Sequence, residues 1–171
     1  MHNIKLAHDA GAAVILNPAP AQKLPDSLYH YLDWLIMNES ETAILSDMPA
    51  DAVTASSDLD SITRKFFDKG VSNVIITLGA EGAYYQSAKA AGEGQAGRKM
   101  PAIKATVVDT TAAGDTFVGA FAVKLAAHVN QGNKKSEASA IDAISFAIRA
   151  AGKTVQKPGA QSSIPWLDEL E

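Results

Sequence analysis

The chain has 171 residues with a formal net charge of −4, and 47% of its residues are hydrophobic. This size and composition are typical of one globular domain with a hydrophobic core. The mild acidity, without any basic cluster, argues against nucleic acid as a partner, because phosphate binding needs a concentrated positive surface. The absence of cysteine excludes disulfides, thiolate metal sites and cysteine nucleophiles.

The sequence contains no membrane or secretory signal. No apolar run approaches the roughly 18 residues that cross a bilayer. The first nine residues lack the apolar centre of a signal peptide. We therefore expect no membrane partner and a cytoplasmic protein, with the nucleus as a second possible location.

Helices and strands alternate along the first eighty residues. Apolar runs predict the strands, and apolar residues three and four apart predict the helices. In one helix Ser57 is the expected N-cap, because Asp60 follows three residues later as in a capping box. The predicted order is a helix ending at Gly11, strand 12–16, helix 25–32, strand 34–37, helix 39–45, helix 57–70, strand 74–78 and a returning hairpin strand 83–86.

The second half of the chain contains the two longest predicted helices, over 115–129 and 136–151, each with one apolar face. Gly152 is the expected stop of the last helix. Glycines predict an exposed loop or hairpin tip over 90–99, and apolar residues predict a strand over 103–108. The tail over 153–165 is predicted as strand or loop.

The alternation implies parallel strands joined by helical crossovers, and hence an α/β fold. In such sheets ligands collect at the carboxyl ends of the strands. This rule predicts a polar rim made by Asn17, Asn38, the turn 77–79 and Asp109.

The segment 107–117 carries the clearest chemistry. A predicted strand passes into small residues and then directly into a helix. Small side chains allow an anion to approach the backbone, and the N–H groups of residues 112–115 are expected to point outward at the start of the helix. The pattern therefore predicts an anion site.

Two aspartates of this segment have two interpretations each. Asp115 is either a general base for a hydroxyl that attacks a bound phosphoryl group, or an ordinary N-cap. Asp109 either binds a cation or fixes a turn.

The motif Asp-Thr-Thr-Ala-Ala-Gly-Asp-Thr-Phe from Asp109 to Phe117 is similar to the C-terminal signature of the ribokinase-like (PfkB) sugar kinases. Other segments resemble the same family in its own order and at nearly its spacing across the whole chain. They are Asn17-Pro18-Ala19-Pro20, Asn38-Glu39-Ser40-Glu41, Thr77-Leu78-Gly79 with Gly82, and 157–165.

The resemblance implies a three-layer α/β/α sandwich with a mostly parallel sheet. It also implies ATP-dependent phosphoryl transfer to the 5-hydroxyl of D-ribose. In the family's pattern Asp115 is the catalytic base, and an anion hole is formed by Ala112, Ala113, Gly114 and Asp115.

The same resemblance implies ATP, Mg²⁺ and K⁺ as cofactors. The nucleotide would contact Asn38, Thr77, Leu78, Gly79, Ala80, Glu81, Gly82, Gly114, Asp115 and Ile148. Ile148 has a second interpretation as a core residue, because it shares a helical face with Ile141 and Ile144. Glu41 would act on Mg²⁺ through water, and a monovalent cation would lie near Asp109, Thr111, Thr154, Lys157, Gly159 and Ser163.

The resemblance covers only the second half of the family's sequence. We therefore expect residues 1–171 to be the nucleotide and phosphate part of the kinase, truncated at the N-terminal side. The sugar-binding half, the lid and the main contacts of a homodimer would be absent, which would leave the strand edge at 12–16 exposed. Two alternatives stay open: a non-catalytic nucleotide-binding remnant, and a kinase for another sugar or a nucleoside.

Other enzyme classes lack their signatures. The four histidines are scattered, which does not fit a metal hydrolase. The sequence has neither a Gly-x-Ser-x-Gly elbow nor a Walker phosphate loop.

Overall fold

The computed structural model describes residues 2–49, 51–130 and 136–170, and the chain divides into two compact units, 1–100 and 101–171. The first unit contains α1 (His2–Asp9), β1 (Ile15–Leu16), α2 (Asp26–Tyr29), β2 (Trp34–Asn38), α3 (Glu39–Leu45), α4 (Leu59–Phe67), β3 (Asn73–Thr77), β4 (Ala83–Ser87), α5 (Ala88–Gly92) and β5 (Arg98–Met100). The second unit contains α6 (Ala113–Asn130) and α7 (Glu137–Thr154). Short 3₁₀ turns lie at Gly79–Glu81, Gln161–Ser163 and Leu167–Glu169.

The five strands form one sheet in the order β1-β2-β3-β4-β5. Strands β1, β2 and β3 run parallel, whereas β4 and β5 are antiparallel to their neighbours. The α/β fold is confirmed, and so is the hairpin between β3 and β4. The sheet is mixed rather than mostly parallel, because the short turn after β3 can only return the chain antiparallel.

The two central strands are buried on both faces, which explains why their sequences are continuous apolar runs. Alternate residues Leu35, Met37, Val74 and Ile76 share one hydrophobic core with Phe66 of α4. Burial of each such side chain stabilises the fold by about 1.5–3 kcal/mol. The core therefore fixes the strand ends on which the polar rim lies.

The predicted N-cap of α4 is wrong by one residue. The helix begins after Asp58, whose carboxylate accepts the N–H of Ser61 at 3.1 Å. The Ser57 hydroxyl instead donates to the Ala52 carbonyl at 3.2 Å and belongs to the preceding turn. Asp and Ser are equally good caps, so the sequence pattern does not choose between neighbours.

The predicted loop over 90–99 contains regular structure at both ends, α5 and β5. A buried polar network holds it. The Asp60 carboxylate accepts hydrogen bonds from the Tyr84 hydroxyl at 2.6 Å and from the Gly97 N–H at 2.7 Å. The pKa of Tyr84 is raised, mainly by burial. These bonds join residues far apart in sequence and leave no local pattern.

The first predicted strand is much shorter than its apolar run. Of residues 12–16 only Ile15 and Leu16 pair, with Trp34 and Leu35 of β2. β1 lies at one edge of the sheet and β5 at the other, and the two side chains of β1 are half-buried rather than exposed.

The predicted strand over 103–108 is wrong. These residues form no ladder, and the side chains of Val107 and Val108 are 61% and 59% exposed. A strand needs a neighbour for its backbone hydrogen bonds. Here the N–H of Val108 donates to the Val155 carbonyl at 2.7 Å instead.

Helices α6 and α7 pack through apolar faces that include Phe117, Phe121 and Ile144, as their periodicity predicts. Gly152 does not end α7, which continues to Thr154. The Ile103 side chain lies where a Cβ of residue 152 would be, so this glycine permits a close approach. In the part of the chain that the structure describes, no helix is long and apolar enough to cross a membrane.

Two helical glycines should respond oppositely to alanine. Gly152→Ala creates overpacking against Ile103, which costs about 1–3 kcal/mol, and this exceeds the helix-propensity gain of about 1 kcal/mol. Gly119→Ala meets no atom within 4 Å and should gain stability. Urea unfolding measures both free energies of unfolding, and a Gly152→Ala variant as stable as Gly119→Ala would contradict the packing described.

Candidate functional site

The carboxyl ends of the first three strands carry polar side chains, as the rim predicts. Asn38 ends β2 and Thr77 ends β3, and the two are register partners. Asn17 follows β1, and its Nδ2 donates to the Ile36 carbonyl at 2.9 Å. The sheet thus collects Asn17, Asn38 and Thr77 on one edge, whereas Asp109 belongs to the second unit.

Asn38 and Glu41 form a reciprocal capping box at the start of α3. The Glu41 N–H donates to Asn38 Oδ1 and the Asn38 N–H donates to Glu41 Oε2, both at 2.8 Å. This role was missed in the sequence, although Asn-x-x-Glu before a helix is a capping signature. No hydrogen bond within the described residues uses Asn38 Nδ2 or Glu41 Oε1, so both atoms can meet a ligand.

The turn after β3 is an exposed 3₁₀ turn over Gly79–Glu81. It is closed by the Leu78 N–H, which donates to the Gly82 carbonyl at 2.8 Å. Gly79 and Gly82 have φ angles of 51° and 98°, which only glycine adopts without strain. Because no atom lies within 4 Å of a Cβ at residue 79, the backbone conformation accounts for that glycine.

In the second unit Asp109 fixes a turn, as one of its two interpretations predicted. Its carboxylate accepts the N–H of Thr111 and the N–H of Gly159, each at 2.9 Å. Hydrogen bonds from the Thr111 hydroxyl, the Thr111 N–H and the Gly159 N–H lower the pKa of Asp109 to about 2. The carboxylate therefore joins the C-terminal tail to the chain just before α6.

The first turn of α6 presents free backbone amides. The Ala113 N–H donates to the Thr110 carbonyl at 3.2 Å. The N–H groups of Ala112, Gly114 and Asp115 have no acceptor in the part of the chain that the structure describes. Unpaired amides at a helix N-terminus, together with the helix dipole, favour an anion.

Ala112 adopts a left-handed backbone with φ of 61°. For a residue with a Cβ this conformation costs about 1–2 kcal/mol. Such strain persists only where the surroundings hold it, and it concentrates at functional sites. It marks the turn that precedes the free amides as a constrained element.

Asp115 is the third residue of α6 and is exposed. The N-cap interpretation is therefore wrong, because the helix begins two residues earlier. Its carboxylate accepts no hydrogen bond from any described residue, so it is available to a proton donor from solution or from a ligand. The exposed carboxylate and two of the free amides lie on the same helical turn.

The residues predicted around a monovalent cation already have partners. The Thr154 carbonyl accepts the Lys157 N–H at 3.1 Å, and the Ser163 hydroxyl donates to the Ala160 carbonyl at 2.7 Å. The Lys157 ammonium pairs with Glu169 at 2.6 Å, so the side chain of Lys157 is not a ligand for a monovalent cation. Carboxylate and carbonyl oxygens keep a second lone pair, so the oxygens of this region can still bind a hard cation.

Other predicted residues lie as follows. Ile148 is buried on α7, at 8% exposure. Among the described residues no group of three or more His, Asp or Glu could hold a metal ion. His128 Nε2 donates to the Asp142 carboxylate at 2.8 Å, between α6 and α7.

The pH dependence of stability should report the Asp109 hydrogen bonds. The folded-state pKa of about 2 lies below the unfolded value of about 3.9, so the ionised carboxylate stabilises the fold above pH 4 and loses this effect as the pH falls towards 2. Asp109→Asn should therefore lower the free energy of unfolding at pH 6, and the difference from wild type should narrow at pH 3. The exposed Asp168→Asn is the control, and a difference independent of pH would contradict the assignment.

Comparisons with known proteins give this geometry a context. Residues 2–167 match the pfkB family of carbohydrate kinases. The ribokinase of Schizosaccharomyces pombe is 41% identical over 98% of this chain, and that of Staphylococcus aureus is 37% identical over 97%. The chain spans 48% and 49% of the length of these two relatives, respectively, and corresponds to a C-terminal half.

The fold agrees with solved relatives. The structure of Arabidopsis thaliana ribokinase, complexed with ribose and ATP, matches with a TM-score of 0.79 at 31% identity. The match covers 98% of this chain and 49% of that protein. The α/β fold is therefore that of the matched half of a ribokinase.

Proposed function

Because the chain belongs to the pfkB family of carbohydrate kinases, we propose that it carries out ATP-dependent phosphoryl transfer to the 5-hydroxyl of D-ribose. The similarity to ribokinases supports the substrate, and one relative was solved with ribose and ATP. The observation that carries the proposal is the exposed Asp115 carboxylate on the same turn as the free amides of Gly114 and Asp115.

In the proposed reaction the Asp115 carboxylate accepts the proton of the sugar hydroxyl. The hydroxyl oxygen then forms a bond to the γ-phosphorus of ATP, the bond to the bridging oxygen breaks, and ADP leaves. Negative charge on the transferred group is stabilised by the N–H groups of Ala112, Gly114 and Asp115. Ala113 contributes by its position in the turn, since its own N–H is bonded to Thr110.

In the first unit, the nucleotide is assigned to the turn after β3 and to Asn38. The exposed turn from Thr77 to Gly82 gives backbone groups to ATP, and Asn38 Nδ2 is a donor to its phosphates. Leu78 is buried and shapes the turn, whereas Ala80 and Glu81 are exposed on it. Ile148 is buried on α7, which favours its interpretation as a core residue.

The proposed metal ions fit the oxygen atoms present. Glu41 has one carboxylate oxygen outside the capping box, which can hold a water of Mg²⁺. The carboxylate of Asp109 and the carbonyls near it suit K⁺, together with Thr111, Thr154, Lys157, Gly159 and Ser163. When bound, Mg²⁺ neutralises phosphate charge, and K⁺ adds positive charge near the anion-binding turn.

A non-catalytic nucleotide-binding protein is the second candidate. The groups assigned above face phosphate, nucleotide and cations, and Asp115 is the one among them assigned to the acceptor. A kinase for another sugar or a nucleoside is a further possibility, because among the assigned groups only Asp115 would touch the acceptor. Both alternatives use the same phosphate site. The first has no turnover, and the second transfers phosphate to an acceptor other than D-ribose.

Loss of the proposed base should abolish transfer with little effect on the fold. In a chimera that joins the first half of a full-length ribokinase to this chain, Asp115→Asn should reduce kcat by about 10²–10⁴-fold. ADP release with ATP and D-ribose measures the rate, and Asp168→Asn is the control. Full activity of Asp115→Asn would remove the base assignment, whereas ATP binding without turnover of D-ribose, fructose or adenosine would favour the second candidate.

Substitutions of Asn38 should separate capping from phosphate contact. Asn38→Ala should lower the free energy of unfolding by about 1 kcal/mol, because the cap is lost. Asn38→Asp keeps the cap but places a carboxylate where Nδ2 would meet a phosphate. We expect wild-type stability and weaker ATP binding for Asn38→Asp, measured by urea unfolding and calorimetry. Unchanged ATP affinity would leave Asn38 as a cap alone.

A further inference from the structure

A buried pair of threonine hydroxyls lies directly behind the candidate phosphate-binding turn. Thr116 follows Asp115 in the chain and is 5% exposed, and Thr154, the last residue of α7, is 0% exposed. Thr154 Oγ1 donates to Thr116 Oγ1 at 3.1 Å. Burying a hydroxyl group costs free energy unless it is hydrogen-bonded. The bond between the two threonines offsets this cost, which apolar residues at the same positions would not incur.

The rest of the buried contact between α6 and α7 is mainly apolar near this end. The buried side chains of α6 other than Thr116 are Phe117, Phe121 and Leu125. Apolar contacts are non-directional, and they permit a helix to rotate or slide by small amounts. A hydrogen bond between two side chains requires a defined distance and angle. The hydroxyl pair is therefore a directional contact among apolar ones at the first turn of α6.

The pair is one of two attachments that hold the turn. Just after Thr154, the Val155 carbonyl accepts the N–H groups of Val108 and Asp109, at 2.7 and 3.2 Å. The Gly159 N–H then donates to the Asp109 carboxylate. These bonds fix the chain before the free amides, and the Thr116–Thr154 bond fixes it after them. The same segment, the end of α7 and its tail, provides both attachments.

We propose that Thr116 and Thr154 are positioning residues, which orient the N–H groups of Gly114 and Asp115 towards a single phosphate group. Neither hydroxyl touches the phosphate itself, since both are buried. This inference rests on the proposed function, because it assumes that those amides bind the transferred phosphate.

The other end of the same helix pair offers a matched control. There Asp142 of α7 pairs with two residues of α6, His128 at 2.8 Å and Lys124 at 3.2 Å. Asp142→Asn weakens these polar contacts between the same two helices and leaves both threonines in place.

 Asp142 lies in the second turn of α7, whereas Thr154 is its last residue, so the control loosens the helix pair far from the phosphate-binding turn.

The test follows the Gly114 amide by NMR in the ¹⁵N-glycine-labelled chain during a titration with inorganic phosphate. Phosphate should shift this resonance in wild type, in Thr116→Ser, which keeps the hydroxyl, and in Asp142→Asn. Thr154→Val, which is similar in shape but has no hydroxyl, should bind phosphate at least fivefold more weakly. Thr116→Val removes the same hydrogen bond from the other side and should reproduce the loss, which keeps the test valid if Thr154→Val does not fold.

The outcomes separate the inference from the function on which it rests. Phosphate affinity in both valine variants equal to that of wild type would overturn the positioning role and leave the proposed phosphate site intact. An equal loss of affinity in Asp142→Asn would also overturn it, because general loosening of the helix pair would then explain the effect. Absence of any phosphate-dependent shift of Gly114 in wild type would overturn the phosphate site and this inference together.

Discussion

The proposed chemistry depends on one constraint, the unpaired backbone amides in the first turn of α6. A helix leaves its first N–H groups without carbonyl partners, and proteins usually satisfy them with a capping side chain. Here the position before the helix is Ala112, which has no side-chain oxygen and holds a left-handed backbone. The N–H groups of Gly114 and Asp115 therefore stay available to a ligand, and a negatively charged ligand satisfies them best.

The first amides of α3 are satisfied in the opposite way, by side chains of the protein itself. At the start of α3, Asn38 and Glu41 satisfy the helix amides internally through a capping box. Each side chain nevertheless keeps one polar atom outside the box. A structural role and a ligand-binding role can therefore coexist at Asn38, whereas the α6 turn gives up its structural cap.

Much of the fold follows from local pattern, because periodicity and burial coincide there. The helix Glu39–Leu45 and the strand core 74–77 lie where the sequence places them, and both long helices lie within a few residues of their predicted ends. The predictions fail where a contact with a distant part of the chain determines the local conformation. Residues 103–108 have strand composition but no neighbouring strand, and Gly152 is required by the Ile103 side chain rather than by a helix end.

The candidate site was predictable in part. The small residues before Asp115 point to an anion site, and the family resemblance supplies roles that spacing alone does not. The supporting contacts were not predictable, because they join distant positions. Asp109 meets Gly159 and Thr116 meets Thr154 across 50 and 38 residues of chain, and no local signal marks either pair.

The role of the unpaired α6 amides can be observed in a crystal structure of the chain with ADP, Mg²⁺ and aluminium fluoride, since the fluoride imitates a phosphoryl group in transfer. We expect the fluoride to lie about 2.7–3.2 Å from the backbone nitrogens of Gly114 and Asp115, with the Asp115 carboxylate facing it. A nucleotide complex in which the fluoride lies away from the start of α6, with those amides bonded to the protein's own atoms, would contradict it.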